Sequence, residues 1–88
     1  MAKIDHIMPV LRLGYLGSEF WEVTHPDGSD YYHRDNGLPA VVWPDGSESY
    51  YEHGLLHRLI GPADVFYNTI AETTERIEEW WVKGELYR

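Results

Sequence analysis

The chain has 88 residues, fifteen Asp and Glu against seven Lys and Arg for a formal charge of −8, and no cysteine. That length makes a single domain, and the absence of cysteine excludes disulfides and thiolate metal sites. The acidic balance disfavours direct binding to nucleic acid and favours a basic partner.

In chain order, residues 1–9 read as a lead-in anchored by Ile4, Ile7 and Met8, with Pro9 stopping any helix. Val10 to Tyr15 reads as a strand, Leu16-Gly17-Ser18 as a turn, and Glu19 to Thr24, rich in aromatic and β-branched residues, as a second strand. Asp27-Gly28 turns the chain, Asp30 to His33 is a short strand, and Asn36-Gly37 turns it again. Pro39 to Trp43 is the next strand, followed by the Asp45-Gly46 turn and a strand from Glu48 to Glu52. His53-Gly54 turns into Leu55 to Arg58, Gly61-Pro62 breaks the pairing, and Ala63 to Tyr67 extends once more. Turn dipeptides thus recur about every 8–10 residues, the rhythm of an all-β antiparallel meander of hairpins.

Residues 68–79 admit two readings. Thr69 with Glu72 three residues on forms a capping-box pattern, which would open one short helix near residues 70–79. The repetition described next instead predicts a hairpin, with a longer connection around Ala71 to Glu75, and it favours that reading.

Pieces of the chain echo one another. Tyr50-Tyr51-Glu52-His53-Gly54-Leu55-Leu56-His57-Arg58 matches Trp80-Trp81-Val82-Lys83-Gly84-Glu85-Leu86-Tyr87-Arg88 position for position. His33-Arg34 to Pro39-Ala40 echoes His57-Arg58 to Pro62-Ala63, and Pro26-Asp27-Gly28-Ser29 repeats as Pro44-Asp45-Gly46-Ser47, each ahead of a Tyr-Tyr pair. This unit resembles the MORN-like short tandem repeats of bacteriophage and giant-virus proteins, which carry aromatic-aromatic-x-x-Gly-x-Leu-His-Arg-x-x-Gly-Pro-Ala. The resemblance covers about residues 26–88, roughly two and a half repeats, and leaves residues 1–25 outside. It implies a repeated hairpin architecture and says little about activity, because fold alone does not determine function. It also makes a viral source, and hence the host cytoplasm, the expected setting. No apolar run reaches the roughly 20 residues of a membrane helix, and no signal peptide precedes the domain, so no membrane partner is expected.

Candidate chemistry is sparse. His53 and His57 are four apart but straddle Gly54 in a turn, which denies them the helical two-ligand geometry; no metal and no cofactor is expected. Ser29, His33 and Asp35 supply triad residue types without a nucleophile turn or an oxyanion hole, so catalysis is discounted. The repeated His-Arg pairs read as turn-closing groups, with Arg34 and Arg58 stacked on rings or paired with carboxylates. The leading functional site is the acidic cluster Glu72, Glu75, Glu78 and Glu79 beside Trp80-Trp81, with one Trp as an exposed anchor on a basic partner. The expected function is a non-enzymatic protein-binding module, an inhibitor of host defence of the anti-CRISPR or anti-restriction type that blocks a basic nucleic-acid-binding surface or a subunit interface. One alternative is an oligomeric sponge holding a nucleotide signal with Arg34, Arg58, Tyr50 and Tyr51. Another is a structural repeat protein that assembles, for instance as a homodimer, through open strand edges.

Overall fold

The computed structural model describes residues 8–88, so the anchors expected at Ile4 and Ile7 lie outside the described residues, while Met8 is exposed. β1 (Val10–Leu13) passes through a 3-10 turn at Tyr15–Gly17 into β2 (Glu19–Thr24), which leads to β3 (Asp30–Tyr32). Then come β4 (Val41–Val42), β5 (Glu48–Ser49), β6 (Tyr51–Glu52), β7 (Leu55–Leu56), β8 (Asp64–Ile70), β9 (Thr73–Glu79), β10 (Trp81–Val82) and β11 (Glu85–Leu86). The fold is all-β and antiparallel. One sheet runs β1-β2-β4-β5-β8-β9 with β3 on β2, and the pairs β6-β7 and β10-β11 stand beside it.

The turn residues explain this division. His53 and Gly54 take φ of 52° and 82°, and Lys83 and Gly84 take 51° and 80°, so both small hairpins close with the doubly positive turn that matches strand twist. Glycine also avoids a tight approach there. A Cβ on Gly54 would sit 3.2 Å from the Tyr31 Cβ, and one on Gly84 would sit 3.2 Å from the Leu55 Cδ2. The two Pro-Asp-Gly-Ser turns share another geometry, in which Ser29 and Ser47 N–H groups donate to Asp27 and Asp45 Oδ1, each at 2.9 Å.

The result is two rows of hairpins built from three units. The central row holds β1-β2, β4-β5 and β8-β9; the side row holds the outer half of β2 with β3, then β6-β7, then β10-β11. In each unit the strand leaves the central row at one aromatic residue. The Trp21, Tyr50 and Trp80 carbonyls accept from the His33, His57 and Tyr87 N–H groups at 3.0, 3.0 and 2.9 Å. The Trp21 and Tyr50 N–H groups donate into the next unit, to Ala40 O (2.8 Å) and Ala63 O (2.7 Å). Both alanines have no exposed surface, because each lies at the junction where two units meet. With Val23, Val41, Val65 and Tyr50 they form a small core.

Several expectations change. The short helix near residues 70–79 is absent: β8 and β9 pair over Asp64↔Glu79 to Ile70↔Thr73, and Thr69 Oγ1 meets Thr74 Oγ1 at 2.9 Å instead of capping a helix. The connection is also tighter than expected, two residues with Ala71 at φ 57°, because the extra length went into the strands. The single strand over Glu48–Glu52 breaks at Tyr50, where it changes rows. Within residues 10–24, β1-β2 takes the place in the central row that β4-β5 and β8-β9 hold further on. Tyr31-Tyr32 is not the counterpart of Tyr50-Tyr51, because its strand corresponds to Leu55-Leu56.

Candidate functional site

The His-Arg pairs join the units. The His33 Nδ1 accepts the His53 N–H at 3.0 Å, and the His57 Nδ1 accepts the Lys83 N–H at 3.0 Å. Beside each imidazole, Tyr32 O accepts from Gly54 N and Leu56 O from Gly84 N, while Arg34 N and Arg58 N donate to Tyr51 O and Trp81 O. The arginines then fold back. Arg34, Arg58 and Arg88 lie over the rings of Trp21, Tyr50 and Trp80 at 4.0, 3.9 and 4.9 Å from the centroid. Arg34 and Arg58 also donate through Nη1 to Pro39 O and Pro62 O, both at 3.2 Å.

The residues of the ligand alternative come together. Arg34, Arg58, Tyr50 and Tyr51 line one open groove of 430 Å³, walled by Leu38, Leu59 and Ile60 and edged by Glu52 and His57. Leu59 and Ile60 are 73% and 86% exposed, so the wall is apolar and accessible. Each guanidinium has N–H donors beyond the Nη1 bond, which suits an anion. Tyr50 is only 8% exposed and its face is taken by Arg58, so it is not a stacking platform. Burial raises its phenol above the usual tyrosine range, helped by Glu48 and opposed by Arg58. Burial raises Tyr51 as well, with Asp64 and Tyr32 adding to it.

The acidic cluster lies on the β8-β9 hairpin. Glu72, in its turn, and Glu75 and Glu78 on β9 are exposed, while Glu79 is half-buried and accepts from the Trp81 Nε1 at 3.1 Å. Strand alternation puts Glu75 and Glu79 on one face with Ile77; Glu78 is on the other, in an ion pair with Arg76. Neither tryptophan is the exposed anchor expected. Trp80 is half-buried beneath Arg88 and beside Tyr87, and Trp81 is half-buried and hydrogen-bonded.

The paper triad does not assemble. His33 Nε2 does meet Asp35 Oδ1 at 2.8 Å, but Ser29 Oγ donates to Asp27 and the second His33 nitrogen is used by His53 N–H. Among the described residues no group of three His, Asp or Glu is placed to hold a metal. Sequence reasoning missed Trp21 as the partner of Arg34. Twelve residues separate Trp21 from His33, against seven between Tyr50 and His57 or Trp80 and Tyr87, and the longer first hairpin hides the match. No helix of the described residues is long and apolar enough to cross a membrane. No protein family, curated protein or solved structure matches the chain.

Proposed function

We propose that the protein is a non-enzymatic binding module that presents an acidic surface to a basic surface of a partner protein. The observation that carries this reading is the disposition of the cations. Arg34, Arg58 and Arg88 are laid on rings, and Arg12 and Arg76 are paired with carboxylates, which leaves Lys83 among the described residues. The carboxylates of Glu72 and Glu75 meanwhile face solvent on the β8-β9 hairpin, with Glu78 exposed in its pair with Arg76. Such a surface steers encounter with a positive patch and competes with phosphate for it. With the resemblance of the repeat to those of viral proteins, the finer reading is an inhibitor of a host defence complex, of the anti-CRISPR or anti-restriction type. It would act in the host cytoplasm by covering a nucleic-acid-binding site or a subunit interface, without binding nucleic acid itself.

The test is capture of a partner from host lysate by the full chain and by a Glu72→Lys, Glu75→Lys, Glu78→Lys variant. Capture is expected to weaken steeply with salt, to be lost in the variant, and to compete with nucleic acid. A complex that survives high salt and the variant equally well would overturn the reading.

A second reading has its own observation, the convergence of Arg34, Arg58 and Tyr51 on one groove. There the protein would hold a small anionic ligand such as a nucleotide signal. Calorimetry against cyclic nucleotides decides it: heat lost in an Ile60→Asp variant supports the groove, and no heat with any of them removes it.

A further inference from the structure

The three units do not end alike. In the first, β2 is covered by the next unit's β4 through Glu19↔Val42 and Phe20↔Val41. In the second, β5 is covered by β8 through Glu48↔Val65 and Ser49↔Asp64. The corresponding residues of the third unit are Glu78 and Glu79, one and two places before the aromatic residue where the chain changes rows. They lie on β9, which ends the sheet, so no strand covers its outer edge among the described residues. An edge of seven residues is a template for one more antiparallel strand, because its alternate N–H and C=O groups face outward. Twice within the molecule, the element seated at this position is an extended strand.

We propose that the outer edge of β9 receives an extended basic segment of a partner protein as an added antiparallel strand. The inference rests on the acidic-docking reading and gives it a mode of contact. The pleat specifies the chemistry of the occupant. Glu75, Ile77 and Glu79 share one face, so the residues opposite them alternate basic, aliphatic, basic. On the other face Arg76 already pairs with Glu78, and that row needs no extra charge. The segment therefore reads Lys-x-Val-x-Lys, with Arg or Ile as equivalents. The same pattern disfavours a second copy of the chain in the register centred on Ile77. Two β9 strands paired about Ile77 would set Glu75 of each copy against Glu79 of the other, and like charges directly opposite are destabilising.

The test uses the full chain and three peptides with common flanks: one carrying Lys-Thr-Val-Thr-Lys, the same peptide N-methylated throughout that segment, and one with both Lys replaced by Glu. N-methylation keeps the charge and side chains but removes the ladder donors. The parent peptide is expected to bind at low salt, with amide shifts running along β9 and absent from β1. Affinity should fall by about tenfold or more on N-methylation and on charge reversal. The exposed substitution Glu75→Lys should narrow the preference for the Lys peptide over the Glu peptide. If the N-methylated peptide binds as tightly as its parent, strand addition is overturned while docking by charge alone stands. If neither basic peptide binds, strand addition is likewise overturned, and the acidic-docking reading stands or falls on salt-sensitive capture of its partner.

Discussion

Asp64 differs from Asp27 and Asp45 in how its surroundings treat its charge. Asp27 and Asp45 lie in open turns where Ser29 and Ser47 donate to them, which holds both carboxyls below the usual range. Asp64 is half-buried, and burial pushes its carboxyl up; Glu79 across the strand adds to this, and the 2.7 Å bond from Ser49 Oγ opposes it. A carboxyl raised in the folded state binds its proton more tightly there than in the unfolded chain. Its penalty on stability is therefore full above the raised value and is relieved as pH falls towards the unfolded one. Asp64→Asn retains an acceptor for Ser49 and removes the charge. The variant is expected to melt a few degrees higher than the parent near pH 7, with the gap closing towards about pH 4. Thermal unfolding across that range checks it, and a gap that widens on acidification would refute the assignment. Among residues, Gly54 and Gly84 were legible from the sequence because positive φ is local chemistry. The stacking of Arg34 on Trp21 was not, because it depends on a register set by a hairpin five residues longer than in the other units.

Between elements, the linking device is the imidazole that receives a turn N–H from the next hairpin. His33 is 7% exposed, and removing its Nδ1 leaves the His53 N–H without its acceptor in a partly buried site. His33→Phe is expected to lower unfolding free energy by about 1–3 kcal/mol. His57→Phe, whose bond to Lys83 N–H is exposed, should cost about 0.5–1.5 kcal/mol. Urea unfolding with unchanged m-values would establish both as stability effects, and equal costs at the two sites would contradict the burial argument. The same devices show how far elements could be read in advance. Strands and turns followed from Asp-Gly, Asn-Gly and His-Gly with flanking aromatics. The break at Tyr50 did not, because a strand that changes rows keeps its extended backbone and its apolar character. The segment before Trp80 was open to two readings because Thr69, Glu72 and Ile70 satisfy helical and extended patterns alike. Pairing with β8 decided it.

At the scale of the molecule, the array keeps its carboxylates outward and its described arginines on rings or carboxylates. One consequence is colloidal. The β9 edge is open yet acidic, so the chain is expected to stay monomeric near neutral pH at low salt. Association should appear when Glu75→Gln removes the repulsion between Glu75 of one copy and Glu79 of the other. Light scattering decides this, and a dimer of the parent that persists at low salt would show that charge is not what guards the edge. Arg34, Arg58, Tyr50 and Tyr51 of the groove and the glutamates of the hairpin were named from the sequence, but the apolar wall of Leu38, Leu59 and Ile60 was not. The tryptophans were misjudged because a doubled aromatic looks like an anchor, whereas Trp80 and Trp81 are held by Arg88 and Glu79.

The junction at Ala40 and Ala63 has a consequence for the ancestry of such chains. Each alanine donates to its own hairpin, Ala40 N to Ser49 O and Ala63 N to Glu79 O, and accepts from the unit before it. Residues 41–63 therefore begin and end on the same bonding pattern. A tandem duplication of that stretch would present its turn N–H to the existing His57 and offer a new imidazole to Lys83, with no joint left unmatched. An array of this architecture can lengthen or shorten by whole units without leaving a turn N–H or an imidazole unmatched at the new joint.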